Sequence, residues 1–241
     1  MIEDLLPKLF RHIRTNGLNA TSDVIAKNLR HSIRSTLEER FDHKFQIDTA
    51  GSIQLEDLTI DSDNKARGVY YEPTPPHVFR YILSKLDIDH REFDFVDFGC
   101  GKGRVVFLAS QYPFRRVTGI EFAPELVEVA KHNIECGKSG CLNCENVDVL
   151  CMDATQFEIP DSKAVLYFYN PFDAMIMKAI AQNLETSFLK NRAEKYVIYY
   201  NPQNEVVFER LPFMKKVASE KRVVDFASPR FHGYSIFRTI D

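Results

Sequence analysis

Hydrophobic residues are spaced differently in the first third of the chain and in the remainder. Over residues 2–14 and 21–42, apolar residues recur at helical spacing among charged ones, which predicts two amphipathic helices. Residues 43–64 have no regular period and are interpreted as loops or short strands, a hairpin over residues 46–60 being one interpretation. We therefore expect residues 1–68 to form a helical accessory region that caps the rest of the protein.

From residue 69 onward, short apolar runs alternate with segments of helical period. This alternation is typical of parallel strands joined by crossover helices on both faces of a sheet. Two final runs, within residues 213–226 and 233–240, follow each other without a helix and so predict an antiparallel hairpin at the sheet edge. The pattern predicts an α/β fold over residues 69–241, a doubly wound, seven-stranded, mostly parallel sheet with an antiparallel C-terminal strand. The other predicted strands span residues 93–98, 116–121, 147–151, 164–169 and 196–200, and the predicted helices span residues 76–86, 104–111, 124–134 and 174–189.

Charge and composition narrow the class of protein. The formal net charge is -3, from 31 basic and 34 acidic residues, so a nucleic-acid partner is not expected. No apolar run reaches the roughly 18 residues of a membrane span, and the acidic start MIEDLLPKLF does not resemble a secretory signal. The five cysteines, an odd number, favour reduced thiols over a disulfide framework. We therefore expect a cytoplasmic protein without a membrane segment, and leave both monomer and homodimer open.

A glycine-rich turn follows the first predicted strand of the sheet, in the sequence FDFVDFGCGKGRVVFLA, residues 93–109. Ligands of open α/β sheets bind beyond the carboxyl ends of the strands, which is where this turn lies. Gly99 and Gly101 can adopt positive φ or approach a ligand closely, and Gly103 allows the next helix to pack on its strand. The dinucleotide-binding pattern would need glycine in place of Arg104, and the phosphate loop that ends in Gly-Lys-Ser/Thr is also absent. The turn therefore predicts a ligand cradle. The absence of both patterns weakens the interpretations that the ligand is a nicotinamide dinucleotide or a nucleoside triphosphate.

The spacing Asp97-x-Gly99-x-Gly101-x-Gly103 resembles motif I of the class I S-adenosylmethionine (SAM) methyltransferases. The acidic residue fits this resemblance because SAM carries an ammonium group and a sulfonium where dinucleotides carry a pyrophosphate. The resemblance implies a Rossmann-like methyltransferase fold and SAM as the cofactor. It further implies that SAM is bound by Asp97 and by the turn residues Gly99, Cys100, Gly101 and Gly103, with Cys100 packing as a small residue.

Two further carboxylates match the same family. Glu121 closes the second strand, where a carboxylate can accept hydrogen bonds from both ribose hydroxyls, and Phe122 follows it. Asp153 comes after a later strand and resembles the family's acceptor for the adenine amino group, with Ala154 beside it. The alternatives are that Glu121 caps the helix that begins near Pro124 and that Asp153 is an ordinary turn residue.

The residues that follow strand 164–169 carry the information about the methyl acceptor. Asn170, Pro171 and Phe172 resemble the Asn-Pro-Pro-Tyr/Phe motif of methyltransferases that act on planar amino groups and, more loosely, the corresponding motif of seven-strand protein-lysine methyltransferases. The motif implies that the Asn170 oxygen and a backbone carbonyl next to Pro171 accept the amine hydrogens. Phe172 would stack on a flat substrate or border a lysine stem. One proline of the motif is missing, and a structural turn is the alternative interpretation.

A second resemblance concerns the sequence GVYYEPTPPHVFRYIL, which precedes the first strand by one helix. In lysine methyltransferases of the non-SET class, a tyrosine-containing loop at this place covers the methionine end of the cofactor. The resemblance implies that Tyr71, Glu72 and Thr74 bind the cofactor and that Tyr71 also takes part in catalysis. Glu72 or Asp173 is a candidate proton relay. The alternative is a proline-rich connection that only starts the helix at Pro76.

The resemblance implies a SAM-dependent N-methyltransferase, with a protein lysine side chain or a small-molecule amine as its substrate. The alternative is a non-catalytic module that binds SAM or a nucleotide for sensing or scaffolding.

Four cysteines lie close together in the sequence, at Cys136, Cys141, Cys144 and Cys151. Such thiols can bind zinc, but paired Cys-x-x-Cys units are lacking and Cys151 is expected to be buried in a strand. We therefore predict unremarkable thiols here and no metal.

Overall fold

The computed structural model describes residues 32–59, 67–137, 141–223 and 232–240, together with positions 15, 21, 22, 25, 26, 28 and 29. The helix predicted over residues 2–14 lies outside the described residues. The second predicted helix is present; its last part, helix α1, is described continuously over residues 32–45. None of the helices that the structure describes combines the length and the apolar composition needed to cross a bilayer.

Seven strands form one sheet, in the spatial order β3-β2-β1-β4-β5-β7-β6: β1 is Asp94–Phe98, β2 Arg116–Glu121, β3 Val147–Cys151, β4 Ala164–Tyr169, β5 Lys195–Tyr200, β6 Met214–Glu220 and β7 Tyr234–Thr239. Every strand pair is parallel except those that β7 forms with β5 and β6, so β7 alone runs in the opposite direction. The predicted fold class, with its reversed C-terminal strand, is confirmed.

The helices cover both faces of the sheet, as alternating strand and helix patterns require. On one face lie α2, α3 and α4, and on the other lie α5 and α6. The sequence pattern did not predict α6, which is a single turn. The bounds are α2 Pro76–Leu83, α3 Arg104–Ala109, α4 Pro124–Cys136, α5 Ala174–Lys190 and α6 Val206–Glu209.

Strand β1 lies where the winding direction of the sheet changes. All five of its residues are buried, because β2 pairs with one edge of the strand, β4 pairs with the other, and helices cover both faces. The chain first builds the sheet outward through β2 and β3, and then returns past β1 to β4 and β5. At such a switch point the connections leave in opposite directions, so a crevice forms beyond the carboxyl end of β1.

The described residues between α1 and α2, 46–59 and 67–75, cover this crevice, and residues 46–59 do not form the hairpin considered for residues 46–60. Ile53 pairs in antiparallel fashion with Tyr71 instead, so the partner of this segment is the chain that leads into α2. Phe45 and Ile47 are buried against Phe107 of α3. The hairpin interpretation is wrong because the backbone groups of this segment are satisfied by a part of the chain that is distant in sequence.

Candidate active site

A central crevice lies beyond the carboxyl ends of β1 and β2, under the segment of residues 69–74. It encloses about 660 Å³, including solvent at its mouth. Most of the residues that the sequence assigned to the cofactor meet here, although they come from separate strands and loops. The assigned residues that line the crevice are Tyr71, Glu72, Thr74, Asp97, Gly99, Cys100, Gly101, Glu121, Phe122, Pro171 and Phe172.

The glycine turn needs residues without side chains for two different reasons. At Gly101, φ is +53° and a Cβ atom would lie 2.1 Å from the ring of Tyr71, so the ring packs directly on the backbone of the turn. At Gly103, φ is +80° and a Cβ atom would lie 2.9 Å from that of Ala130 in α4. Gly103 therefore serves helix packing, and it is not among the residues that line the crevice. Cys100 is buried and packs against β2, as predicted.

Asp97 presents a buried carboxylate to the crevice. Its residue is only 3 % exposed, and no hydrogen bond from the described residues reaches its side chain. Burial raises the pKa of Asp97 well above its ordinary value, and the nearby charge of Glu121 raises it further. A desolvated carboxylate of this kind is stabilised by a cationic ligand group, which is the chemistry that the sequence assigned to it.

Glu121 ties the glycine turn to the start of α4. One carboxylate oxygen accepts a hydrogen bond from the Gly101 amide at 2.9 Å, and the other accepts from the amides of Phe122 and Ala123 at 2.9 and 3.0 Å. Burial raises the pKa of Glu121, while these hydrogen bonds oppose the rise. The carboxylate lines the crevice and accepts from amides that precede α4 but from none within that helix, so the helix-capping alternative finds no support.

An apolar slot of about 300 Å³ continues from the central crevice on the far side of Glu121. Asp153 and Ala154 lie in its wall, as the assignment to adenine requires. The Asp153 side chain accepts hydrogen bonds from the amide and the hydroxyl of Thr155, at 2.8 and 2.7 Å, so it also holds the turn that follows β3. The other residues of the slot are Gly99, Ile120, Phe122, Met152, Phe172 and Ile176.

The segment of residues 69–74 is held in place by hydrogen bonds. The Tyr71 hydroxyl donates to the carbonyl of Thr49 at 2.7 Å, and burial raises the pKa of Tyr71 well above its ordinary value. Tyr71 therefore keeps its proton and acts here as a cover for the glycine turn. The hydroxyls of Thr74 and Tyr167 share a hydrogen bond of 3.0 Å.

A third cavity, the polar crevice, adjoins the central one and encloses about 450 Å³. Asn170 lies in it with a φ of +38°, and its side-chain oxygen accepts a hydrogen bond of 3.4 Å from the Tyr199 hydroxyl. Pro171 and Phe172 face the central crevice instead. The polar crevice is lined by Val69, Tyr70, Glu72, Tyr169, Asn170, Asn201 and His232.

Two expected roles near Asn170 need correction. Phe172 borders the apolar slot and the central crevice, so it lies on the cofactor side and not where an acceptor would stack beside Asn170. The Pro171 carbonyl already accepts a hydrogen bond from the Val69 amide at 3.1 Å. Both predicted acceptors for amine hydrogens thus hold one hydrogen bond already, and each oxygen can accept another.

The two candidate proton relays differ in their surroundings. Asp173 caps α5 and pairs with Arg67 at 2.8 Å. Although burial acts in the other direction, hydrogen bonds from the Ile176 amide and from Arg67 lower the pKa of Asp173, which makes it a poor proton acceptor. Glu72 lies in both crevices and accepts hydrogen bonds from the hydroxyls of Tyr70 and Tyr169, each at 3.2 Å.

Two arginines at this site were not recognised from the sequence. Arg34 of α1 forms an ion pair with Glu72 and donates to the Pro73 carbonyl at 3.3 Å. Arg104 lines the central crevice and is 1 % exposed. In the sequence analysis, Arg104 served only to exclude a dinucleotide pattern. A cationic residue directly after a glycine turn could have been recognised there as a candidate ligand-binding residue.

The prediction that Cys151 is buried in a strand is wrong. Cys151 is exposed, because β3 is the edge strand of the sheet and Cys151 is its last residue. Cys136 is also exposed, Cys141 is partly exposed, and Cys144 is buried. Within the described part of the chain, no group of three or more histidine, cysteine, aspartate or glutamate residues is arranged to hold a metal ion.

Comparison with known proteins agrees with this geometry. Residues 95–191 match a protein family described as "Methyltransferase domain". No curated protein matches the chain.

Among solved structures, the chain is similar to a SAM-dependent O-methyltransferase from Thermotoga maritima, with a TM-score of 0.52 and 14% identity over 71% of this chain and 68% of that one. It is also similar to a precorrin-6y C5,15-methyltransferase from Geobacter metallireducens, with a TM-score of 0.50 and 15% identity over 81% of this chain and 100% of that one. An RNA methyltransferase from Salinibacter ruber in complex with S-adenosylhomocysteine has a TM-score of 0.44 and 20% identity, over 70% of this chain and 92% of that one. At identities this low, the likeness to the first two structures shows the fold alone.

The sheet has a Rossmann-like topology, and residues 95–191 match the methyltransferase domain family. The cofactor is SAM, and the residues present fit that molecule. Asp97 offers an unpaired carboxylate for a cationic group, the glycine turn allows a close approach, and the apolar slot suits a flat base.

Proposed function

We propose that the protein transfers the methyl group of SAM to a nitrogen atom, either of a protein lysine side chain or of a small amine. The observation that carries this proposal is the position of Asn170 directly after β4, where the residue lines the polar crevice beside the cofactor site. A positive φ at a residue other than glycine is uncommon and persists where the surrounding structure enforces it. The backbone conformation at Asn170 therefore supports a functional role for this residue over a purely structural turn.

The chemistry of the proposal needs an acceptor for amine hydrogens and an aligned approach. When bound, SAM would supply the methyl group: the nitrogen lone pair would form the new bond while the electrons of the broken carbon–sulfur bond would stay on sulfur, leaving S-adenosylhomocysteine. The Asn170 oxygen accepts a hydrogen of the amine, and this orients the lone pair toward the central crevice. Tyr199 fixes the Asn170 side chain by donating to its oxygen. Alignment of this kind can contribute about 7–11 kcal/mol to a bimolecular step.

The walls of the polar crevice also suit an amine. The rings of Tyr70 and Tyr169 and the carboxylate of Glu72 offer aromatic faces and negative charge to a cationic group that approaches from solvent. Transfer requires the amine to lose its proton, and desolvation next to a cationic cofactor lowers the pKa of an amine. The choice of nitrogen rests on these residues and not on the similar structures, which include an O-methyltransferase and an RNA methyltransferase.

The test is methylation of a protein and small-molecule extract from source cells that lack this protein, with isotope-labelled SAM. We expect label on nitrogen, as methylated lysine or a methylated small amine, identified by mass spectrometry after hydrolysis. Asn170→Gly should lower turnover by about 10²–10³-fold while the affinity for SAM stays within about threefold. Glycine tolerates the positive φ, so this change removes the amide without strain in the backbone.

Two matched variants sharpen this test. Asn170→Asp keeps an acceptor oxygen and should retain more activity than Asn170→Gly, whereas Gln203→Ala changes an exposed neighbour and should leave turnover unchanged. Label found only on oxygen or carbon would contradict the proposal. An absence of turnover with every fraction, despite tight SAM binding, would favour a non-catalytic binding module.

A further inference from the structure

A residue that lines the central crevice carries one buried polar atom without a partner among the described residues. The Arg104 side chain is 1 % exposed, and its Nη1 atom makes no hydrogen bond to any described residue. A buried, unpaired nitrogen of a charged guanidinium is costly, and such groups in native structures call for an explanation. Because Arg104 also lines the crevice that holds the cofactor, a ligand atom is a natural partner for Nη1.

The other guanidinium nitrogens of Arg104 are fixed by the chain that follows α1. Nε donates to the Thr49 hydroxyl oxygen at 2.6 Å, and Nη2 donates to Asp42 at 3.3 Å. The ring of Phe41 lies against one face of the group, with its centre 5.2 Å from the central carbon. Arg104 is therefore held in one orientation, and Nη1 is the nitrogen left for a ligand.

Asp42 organises this corner of the site. Its carboxylate accepts hydrogen bonds from the amides of Thr49 and Ala50 and from the Thr49 hydroxyl, each at 2.6 Å. The Thr49 hydroxyl thus donates to Asp42 and accepts from Arg104, so the three side chains form a continuous buried chain. Residues 42–50 consequently belong to the cofactor site through Arg104.

The charges of SAM identify the group that Arg104 meets. Its ammonium group and sulfonium are cationic, and the carboxylates of Asp97 and Glu121 face the same crevice. The only anionic group of SAM is the α-carboxylate of its methionine part, and a guanidinium N–H is the donor that best complements a carboxylate. We infer that Arg104 Nη1 binds the α-carboxylate of SAM, and that residues 42–50 position Arg104 for this role. The inference holds whichever acceptor the enzyme methylates.

The test compares two ligands that differ by the carboxylate alone, S-adenosylhomocysteine and its decarboxylated analogue, by titration calorimetry. We expect the unaltered protein to bind S-adenosylhomocysteine about 10- to 100-fold more tightly than the analogue. Arg104→Gln should remove most of this preference, because it weakens the binding of S-adenosylhomocysteine and leaves that of the analogue within about threefold.

Lys102→Gln is the matched control. Lys102 lies in the same turn and pairs with Asp48 at 2.8 Å, and its Nζ also donates to the Ala50 carbonyl, but it does not line the crevice. Because Lys102→Gln leaves the Arg104 guanidinium and its hydrogen bonds to Thr49 and Asp42 in place, we expect the preference for S-adenosylhomocysteine to persist.

Several outcomes would overturn the inference. If Arg104→Gln lowers the affinity for both ligands equally, Arg104 has a structural role only. If it lowers the affinity for neither, Arg104 is not part of the site. If Arg104→Gln does not fold, as judged by circular dichroism and thermal unfolding, the unaltered protein still decides the matter. Equal affinity of that protein for the two ligands would contradict binding of the carboxylate by any residue.

Discussion

At the scale of single residues, the site shows how a group can be unfavourable for the fold and favourable for binding. Asp97 is enclosed without a hydrogen-bond partner among the described residues, and burial raises its pKa. Before the cofactor binds, ionisation of this carboxylate lowers the stability of the folded state. A cationic group of SAM offsets this desolvation, so the unfavourable burial contributes to affinity for the cofactor.

Asp97→Asn tests this balance through protein stability. A carboxyl group with a raised pKa in the folded state stabilises the fold while it is protonated, and this contribution is lost as pH rises from the ordinary value of 3.8 through the raised value. We therefore expect the cofactor-free variant to gain free energy of unfolding relative to the unaltered protein as pH rises, seen as a higher urea midpoint. Asp148→Asn, at an exposed position of β3, should show no such gain.

The same residue predicts how cofactor affinity depends on pH. Only the ionised carboxylate attracts the cation, so the affinity for SAM should fall as pH drops through the raised pKa of Asp97. Asp97→Asn should weaken binding at least tenfold and flatten this pH dependence, as measured by titration calorimetry between pH 5 and 9. An unchanged pH profile in the variant would remove Asp97 from the cofactor site.

At the scale of elements, the glycine turn is built jointly with the segment that covers it. The Tyr71 ring packs on Gly101, its hydroxyl holds Thr49, and its backbone pairs with Ile53. The turn, the loop after α1 and the segment before α2 therefore form one packed unit. A change that displaces one of these contacts should reach the cofactor through the other two.

Gly101→Ala, with Gly51→Ala as its control, separates strain in the backbone from contact with Tyr71. Both glycines have positive φ, +53° and +81°, but a Cβ atom at Gly51 meets nothing within 4 Å. Each change should cost about 1–2 kcal/mol of folding stability through its φ. Only Gly101→Ala should also displace Tyr71 and weaken SAM binding tenfold or more, as measured by denaturant unfolding and calorimetry. Equal loss of SAM affinity in the two variants would contradict a specific role for the Tyr71 contact.

At the scale of the whole molecule, the N-terminal segment is docked on the sheet domain by apolar and by charged contacts. Phe41, Phe45 and Phe107 form an aromatic cluster with ring centres 4.9–6.4 Å apart. Arg34 reaches across to Glu72, which lines both the central and the polar crevice. We propose that this region, expected from the sequence to be an accessory cap, is a structural part of the active site.

Arg34→Gln tests this docking, and Arg40→Gln is its control on the same helix. The Arg34 side chain is 16% exposed, and its removal leaves the Glu72 carboxylate without its cation in a partly buried place. We expect a loss of about 1–3 kcal/mol in the free energy of unfolding and a weaker affinity for SAM. Arg40 is exposed, so Arg40→Gln should change the free energy of unfolding by no more than about 0.5 kcal/mol. Similar effects of the two variants would contradict the contribution of the Arg34–Glu72 pair.

The sequence alone determined the sheet domain and the location of its ligand site. Strands β2, β3 and β4 have the predicted bounds, because a short apolar run between turn residues is a local signal that needs no tertiary information. The glycine turn and the carboxylates Asp97 and Glu121 were also recognisable, since the ends of parallel strands necessarily lie along one edge of a sheet.

Only the tertiary structure decided which side chains share a cavity. It directs Phe172 toward the cofactor side, exposes Cys151 at a sheet edge, and pairs Ile53 with Tyr71 in place of a hairpin. It also gives Arg104 its rigid position through Asp42 and Thr49, residues far away in the sequence. The physical reason is that the period of a sequence reports which face of an element is buried, whereas contacts between distant segments fix the direction and the partners of each polar side chain.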